Sequence, residues 1–310
     1  MKNQKIHIVC SIDDNYIKYC IVMLTSLFEN NSTAKFVIHI LIESLKEDNI
    51  YKIKDLINNK YKQEVVFHKV DSNLTKDCYI PANSGWTLAT YYRLFVGEIL
   101  DKEIEKIIYL DCDLVIVGNI IELWNIDIDQ YAVGSIEDMW SNKANNYSRL
   151  NYDPKYSYFN AGVLLMNLKY FREHKLQDKA IKYVRRMGDK LIFCDQDILN
   201  ALIHDQKQLI HLRYNMQDGF YRRRKQIRTA SIPTLLEEIK HPVIIHYTGS
   251  KKPWQYKSQH PMKYQYEKYL DLTEWKGERP HMPFNYKMIL TINKILIKLG
   301  VLKPKYDKIN

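Results

Sequence analysis

Apolar residues near the start of the chain come in short runs separated by polar, helically spaced stretches. Ile6, Ile8, Val9, Cys10 and Ile12, interrupted only by His7 and Ser11, read as a buried strand. Asp13-Asp14-Asn15-Tyr16 closes it, and Tyr19 to Phe28 then repeats apolar residues at helical spacing as far as Asn30-Asn31. A second strand runs from Phe36 to Ile42, a Lys/Glu/Asp-rich helix follows to about Asn59, and Val65 to Val70 makes a third strand. Strands alternating with helices predict a mostly parallel sheet covered on both faces. In such sheets ligands gather where the loops converge at the carboxyl ends of strands.

Further along, Thr87 to Leu100 reads as a helix, with Tyr91, Tyr92, Leu94, Phe95 and Ile99 apolar. Ile107 to Leu110 and Leu114 to Val117 form one apolar run split by Asp111-Cys112-Asp113. Gly162 to Met166 and Val243 to Ile245 are short buried strands, while Asp197 to Ile203 and the segment after Leu168 are helical. Neither an internal repeat nor a Pro/Gly/Ser linker breaks the chain, so residues 1–283 are expected to be one domain. Beyond it, 284–310 reads as a basic amphipathic tail. Met288, Ile292, Ile295, Leu296, Leu299 and Leu302 recur on one helical face, Lys287, Lys294 and Lys298 fall on the other, and Lys303, Lys305 and Lys308 follow.

Composition narrows the field. Of 310 residues 46% are hydrophobic and 26% charged, as in ordinary folded proteins, and the 10 glycines argue against a glycine-rich nucleotide loop. The net charge of +10 is condensed at Arg222-Arg223-Arg224-Lys225 with Arg228, and again in the tail. Such charge favours polyanions or an anionic lipid surface, although scattered lysines are usually just solvated. The five cysteines, Cys10, Cys20, Cys78, Cys112 and Cys194, lack pairing rhythm and suit reduced thiols. Without a signal-peptide core or a spanning run, the expected location is cytoplasmic.

Asp111 and Asp113 carry the strongest chemical signal. Carboxylates within an apolar strand are expensive to bury unless a cation meets them, and residues i and i+2 of a strand share a face. Hard oxygen donors suit Mg²⁺ or Mn²⁺. An isolated Asp-x-Asp is weak, since two acids at a strand end are usually solvated. Here it is accompanied by Asp13-Asp14-Asn15-Tyr16, Tyr158-Phe159-Asn160-Ala161-Gly162, Asp195-Gln196-Asp197, and His246-Tyr247-Thr248-Gly249-Ser250-Lys251-Lys252-Pro253-Trp254. In this order and at these intervals, from about Lys5 to Trp275, the chain resembles glycosyltransferase family 8, and within it the bacterial lipooligosaccharide α-galactosyltransferase branch.

That resemblance implies a GT-A fold: an α/β, Rossmann-like, mostly parallel sheet with helices on both faces, here followed by the C-terminal amphipathic helix. It implies an anomer-retaining transfer of galactose or glucose from a UDP-hexose to a glycan or glycolipid acceptor, as in lipopolysaccharide assembly. Asp111, Asp113 and His246 would hold the metal, Mn²⁺ being favoured over Mg²⁺ by the imidazole. Tyr16 would stack on uracil, with Asp13 and Asn15 reading the base. Arg93, Asp111, Cys112, Asp113, Asn160, Ala161 and Gly162 would line the donor site, with Gly249 and Lys252 at the diphosphate. Asp195 would meet sugar hydroxyls, Gln196 would lie beneath the anomeric carbon, and Asp138 would contact the acceptor. For lone residues the bland alternatives are a satisfied strand-end histidine, a surface arginine at Arg93, and helix caps at Asp14 and in Asp195-Gln196-Asp197.

Two other functions compete. A sugar nucleotidyltransferase should show a basic, Gly-rich loop after the first strand, where this chain has Asp-Asp-Asn-Tyr. A nucleic-acid-binding protein could use Arg222–Arg228, but no helix-turn-helix, zinc or aromatic RNA-binding signature supports it, so nucleic acid is not the expected partner. The match is poorest from Tyr214 to Glu238, which leaves the acceptor open. The tail is expected to dock on an anionic membrane surface, making the protein peripheral on the inner face of the cell membrane.

Overall fold

The computed structural model describes residues 5–82 and 84–307. Lys308, named above, lies outside the described residues.

Ten strands are formed among the described residues: β1 (Ile6–Ser11), β2 (Phe36–Ile42), β3 (Glu64–Lys69), β4 (Lys106–Leu110), β5 (Leu114–Ile116), β6 (Val133–Glu137), β7 (Phe159–Asn167), β8 (Lys207–Leu209), β9 (Met216–Gln217) and β10 (Ile244–His246). Seven make one sheet in the order β3-β2-β1-β4-β7-β6-β8, in which β7 runs against parallel neighbours. A small sheet, β5-β10-β9, stands beside it.

The central strands read as unbroken apolar runs because both faces are covered. Ile8 and Cys10 of β1 point into one core with the helix Ile17–Asn30, while Val9 points into a second core with Tyr91, Phe95, Leu164 and Ile198. At the outer edge, β3 begins with Glu64 and ends with Lys69, charges that discourage further strand pairing. A file of imidazoles crosses these strands. His7 Nδ1 lies 2.9 Å from His39 Nε2, and His39 Nδ1 lies 2.9 Å from His68 Nε2.

Four features differ from the sequence reading. Asp111 and Asp113 sit in the turn between β4 and β5, not within a strand, so the two-residue alternation does not explain their convergence. The expected helix over 87–100 is a 3-10 helix over Leu88–Phe95 followed by one α-turn, Val96–Ile99. The strand expected from Gly162 starts three residues earlier, at Phe159. Strands β6, β8 and β9 carry no clear apolar alternation: β6 mixes Gly134, Ser135 and Glu137 with apolar residues, and β9 has only two residues.

The tail forms the helix Phe284–Lys298, of which no residue is buried. Gly300, at φ +75°, ends it in the left-handed conformation that glycine adopts most readily. The chain then returns to the domain at Tyr306, which bridges to Arg222. Among the described residues no helix is long and apolar enough to cross a membrane.

Candidate active site

The turn after β4 is where the chain passes from the large sheet to the small one. The Asp111 N–H donates to the Gly162 carbonyl at 2.8 Å on β7, and the Tyr247 N–H donates to the Asp113 carbonyl at 2.9 Å just past β10. These bonds bring one atom each from Asp111, Asp113 and His246 within 4.8 Å of one another. His246 Nε2 is 3.0 Å from Asp113 Oδ1 and 3.8 Å from Asp111 Oδ2.

A chain of amides fixes the imidazole. The Gly162 N–H donates to Asn160 Oδ1 at 3.0 Å, so that oxygen is an acceptor and also receives Asn215 Nδ2 at 2.8 Å. Asn215 Oδ1 is thereby left to accept from His246 Nδ1–H at 2.9 Å. The remaining lone pair, on Nε2, faces two carboxylates. Electron-rich atoms aimed at one another in a buried site are poorly matched without a cation between them, and a histidine oriented through its other nitrogen is the usual metal-ligand arrangement. Gly162 lies beneath this trio: a Cβ there would sit 2.2 Å from His246 Cε1 and 2.5 Å from Asp111 Oδ2. The donor set fits a divalent cation with mixed nitrogen and oxygen ligands.

The other oxygens are occupied. Asp113 Oδ2 accepts from Lys252 Nζ at 2.5 Å. Burial opposes ionisation of Asp113, but the Lys252 ammonium beside it outweighs this and holds the carboxyl well below the usual range. Asp111 Oδ1 accepts from Arg93 Nη2 at 2.7 Å, leaving Oδ2 toward His246.

Arg93 is not a surface residue. It is 4% exposed, lies over the Tyr109 ring, donates to the Ala161 carbonyl, and places Nε 2.9 Å from Asp195 Oδ2. Asp195 Oδ1 accepts from Thr90 Oγ1 at 2.6 Å. Burial lifts the Asp195 carboxyl to about 6 even with Arg93 beside it. Removing one member of such a buried pair strands a charge, at a cost of about 3–5 kcal/mol.

Asp195, Gln196 and Asp197 divide the work at the start of the helix Cys194–Ile203. Asp197 satisfies the backbone, accepting from the N–H groups of Ile192 and Phe193 at 2.8 Å each while pairing with Arg149. Asp195 and Gln196 are freed to face the cleft, and the backbone enters through Cys194 at φ +46°. Such strain persists where the surroundings over-determine it. Gln196 Oε1 accepts from Asn160 Nδ2 and from the Ala161 N–H, both at 3.0 Å, and Nε2 donates to Asp138 Oδ2 at 3.2 Å. Burial raises the Asp138 carboxyl above its ordinary value.

Arg93, Asp111, Asp113, Asp138, Asn160, Ala161, Gly162, Asp195, Gln196, His246 and Lys252 therefore line one cavity of about 160 Å³, at the carboxyl end of β4. Trp86, Thr90, Met139, Trp140, Phe193, Cys194 and Thr248 complete its wall. Of these Trp86, Thr90, Met139, Trp140, Phe193 and Cys194 were unmarked as site residues in the sequence, and so was Asn215 behind His246. Asn215 precedes a two-residue strand inside the stretch of poorest family likeness, where only its neighbourhood to a pairing partner of β10 could have flagged it.

The remaining expected site residues, Asp13, Asn15, Tyr16, Cys112 and Gly249, are not part of this cavity's lining. Tyr16 is half-buried, and burial followed by the charge of Asp113 pushes its phenol up. Asp13 accepts from the Asn15 N–H at 2.9 Å, and neither caps the helix Ile17–Asn30, whose N-cap is Tyr16 without a side-chain bond. Asp14 caps a different helix start, accepting from the Lys46 N–H at 3.0 Å and from Asn49 at 2.7 Å. Gly249 rests on Asp218, where a Cβ would meet Cγ at 2.9 Å. Cys112 departs from expectation. Its side chain is buried with Cys10 and Cys20 in the apolar core, the three sulfurs within 4.8 Å of one another, so only its backbone faces the turn. Buried thiols in such surroundings pack as small apolar groups.

The basic cluster is largely neutralised within the molecule. Arg222 pairs with Asp218, Lys225 with Asp307 and Arg228 with Glu137, while Arg223 and Arg224 are exposed.

Paired aspartates and a histidine thus stand at the seam of a mostly parallel α/β sheet, and the fold is that of GT-A glycosyltransferases. The chain belongs to glycosyl transferase family 8, whose model matches residues 7–258. Among its relatives, general stress protein A of Bacillus subtilis (strain 168) is 29% identical over 284 residues, covering 88% of this chain and 96% of its own. The lipopolysaccharide 1,2-glucosyltransferase of Escherichia coli (strain K12) is 26% identical over 285 residues, 89% of this chain and 80% of its own. The crystal structure of the galactosyltransferase LgtC in complex with donor and acceptor sugar analogues superposes with a TM-score of 0.77 at 23% identity, covering 91% of this chain and 99% of LgtC.

Proposed function

We propose that this transferase moves galactose or glucose from a UDP-sugar to a hydroxyl of a lipopolysaccharide-type glycan or glycolipid, with retention at the anomeric carbon. The observation that carries the reading is the convergence of Asp111, Asp113 and a tautomer-fixed His246 beside Lys252 and Arg93. Those three residues would hold Mn²⁺ or Mg²⁺, which when bound would supply positive charge to stabilise the departing UDP. Lys252 adds a cation on the same side. Asn160 and the Arg93-anchored Asp195 would meet sugar hydroxyls, Tyr16, Asp13 and Asn15 would take the uracil, and Asp138 would meet the acceptor.

The state of Gln196 supports a front-face, ion-pair-like displacement. Its carbonyl oxygen already accepts two hydrogen bonds, which uses both lone pairs and weakens it as a nucleophile. The carboxylates of Asp138 and Asp195 are likewise engaged at both oxygens. The acceptor assignment draws on the lipopolysaccharide 1,2-glucosyltransferase relative. Screening UDP-sugars for Mn²⁺-dependent hydrolysis without acceptor tests the donor. Release of pyrophosphate from UTP and a sugar 1-phosphate, or no turnover with any UDP-hexose, would overturn the reading.

The tail helix is proposed to lie on an anionic membrane. Phe284, Ile292, Ile295 and Leu299 are 77%, 51%, 52% and 70% exposed, beside exposed Lys287, Lys294 and Lys298. Each lysine near such a surface contributes about 1 kcal/mol. Co-sedimentation with phosphatidylserine vesicles at low and high salt checks it. Equal solubility of wild type and an Ile292→Asp/Ile295→Asp variant would remove the proposal.

A further inference from the structure

The basic cluster and the basic tail, unrelated in sequence, form one structural unit. Residues 305–307 run antiparallel to 221–223. The Arg223 N–H donates to the Lys305 carbonyl at 3.0 Å, and the Asp307 N–H donates to the Tyr221 carbonyl at 2.9 Å. At the centre of this strap, Tyr306 Oη donates to Asp218 Oδ1 at 2.7 Å. Asp218 is 3% exposed, and its other oxygen is bound by Arg222. A carboxylate so buried is stable only while its partners stay in place.

Asp218 is also the floor of the turn that follows β10. Its backbone N–H donates to Thr248 Oγ1 at 3.2 Å, and Gly249 lies against its carboxyl group with no room for a Cβ. Three residues further on, Lys252 reaches Asp113. The tail therefore touches the cavity through one intermediary.

We propose that Tyr306 is a positioning residue for donor binding: by holding the buried Asp218 carboxyl, it sets the Thr248–Lys252 turn that receives the diphosphate. This rests on the UDP-sugar reading given above. Tyr306 touches no substrate and acts only through Asp218. Without its hydroxyl, Asp218 Oδ1 loses its partner beneath Gly249, the carboxyl group rotates toward Arg222, and the turn above it loosens. Ground-state binding of UDP then weakens, while the groups around the reacting carbon keep their places.

The test uses the full-length chain and UDP with Mn²⁺ as the probe, followed by calorimetry, together with steady-state kinetics on the active UDP-sugar. Tyr306→Phe is expected to raise the Kd for UDP and the KM for donor five- to tenfold with kcat changed less than twofold. Tyr306→Leu should give a shift at least as large. The helix variant Ile292→Asp/Ile295→Asp, which leaves the strap intact, should bind UDP as wild type does. If wild type binds UDP and Tyr306→Phe binds it equally well, the latch is wrong and the transferase reading stands. If kcat falls with KM unchanged, the positioning role is also refuted. Wild type that binds no UDP in the presence of Mn²⁺ overturns both. Should Tyr306→Phe lose its folded circular-dichroism spectrum, Asp218→Ala, which removes the carboxyl group that Tyr306 holds, must raise the UDP Kd, and an unchanged Kd refutes the proposal.

Discussion

Gly162 and His246 are in contact so close that the glycine cannot carry a side chain: a Cβ on Gly162 would stand 2.2 Å from Cε1 of the imidazole. Neither partner can yield easily, because His246 is held by Asn215 and 2% exposed, and Gly162 is bonded through its carbonyl to Asp111. Overpacking of this kind costs about 1–3 kcal/mol. Gly162→Ala is expected to lower the melting temperature by a few degrees but activity by at least ~100-fold, since the displaced groups are the proposed ligands. Thermal denaturation and UDP-sugar turnover measured on the same preparation check the split.

Loss of a ligand should differ from loss of its support. Asp111→Asn, Asp113→Asn and His246→Ala are expected to abolish most activity at any Mn²⁺ concentration. Asn215→Leu should instead raise the Mn²⁺ concentration for half-activation by about 10–100-fold and recover most of kcat at saturation. Mn²⁺ titrations of turnover distinguish the two patterns, and normal activation of Asn215→Leu would show that the imidazole needs no such anchor.

Retention can be read directly. The product of an α-configured donor should be α-linked by NMR, and Gln196→Ala should reduce kcat far more than KM, since its contact would matter mainly as the sugar carbon becomes cationic. A β-linked product refutes the mechanism.

The imidazole file across β1, β2 and β3 makes stability depend on pH. Burial, then the neighbouring His68 and His7, lower the His39 pKa to about 3. An unfolded histidine titrates near 6.5, so between about 6.5 and 3 the unfolded chain binds a proton that the folded chain refuses. Stability is therefore complete above pH 6.5 and falls as pH drops below it. Urea unfolding at pH 7.5, 6 and 5 should show this decline in wild type and a shallower one in His39→Gln. Equal slopes would exclude His39 as the source.

The parts of the fold legible in the sequence are those whose burial left a simple pattern. Phe36–Ile42 is buried at every position and its limits agree with the apolar run. By contrast β6 contains Glu137, which is buried yet silent in any hydrophobic pattern because nearby Ser141, and Arg228 and Ser231 from a distant segment, satisfy it. The site was legible as a set of motifs, but not as geometry. Asp111 and Asp113 meet His246 because a turn joins two sheets, and a period-two argument within a single strand cannot see that. Asn215 was invisible for a related reason: its importance lies in a hydrogen bond to a residue 31 positions away.

The seam between the sheets has a thermodynamic consequence. Asp111 closes the large sheet, while Asp113 and His246 belong to the small one, so a cation shared by all three would act as a rivet across two layers. A ligand that binds the folded chain alone raises its stability in proportion to the logarithm of its concentration. The same ion would thus oppose separation of the layers, and thermal shift in a plate reader, with Mn²⁺ and each nucleotide sugar in turn, becomes a donor screen that needs no acceptor and no turnover.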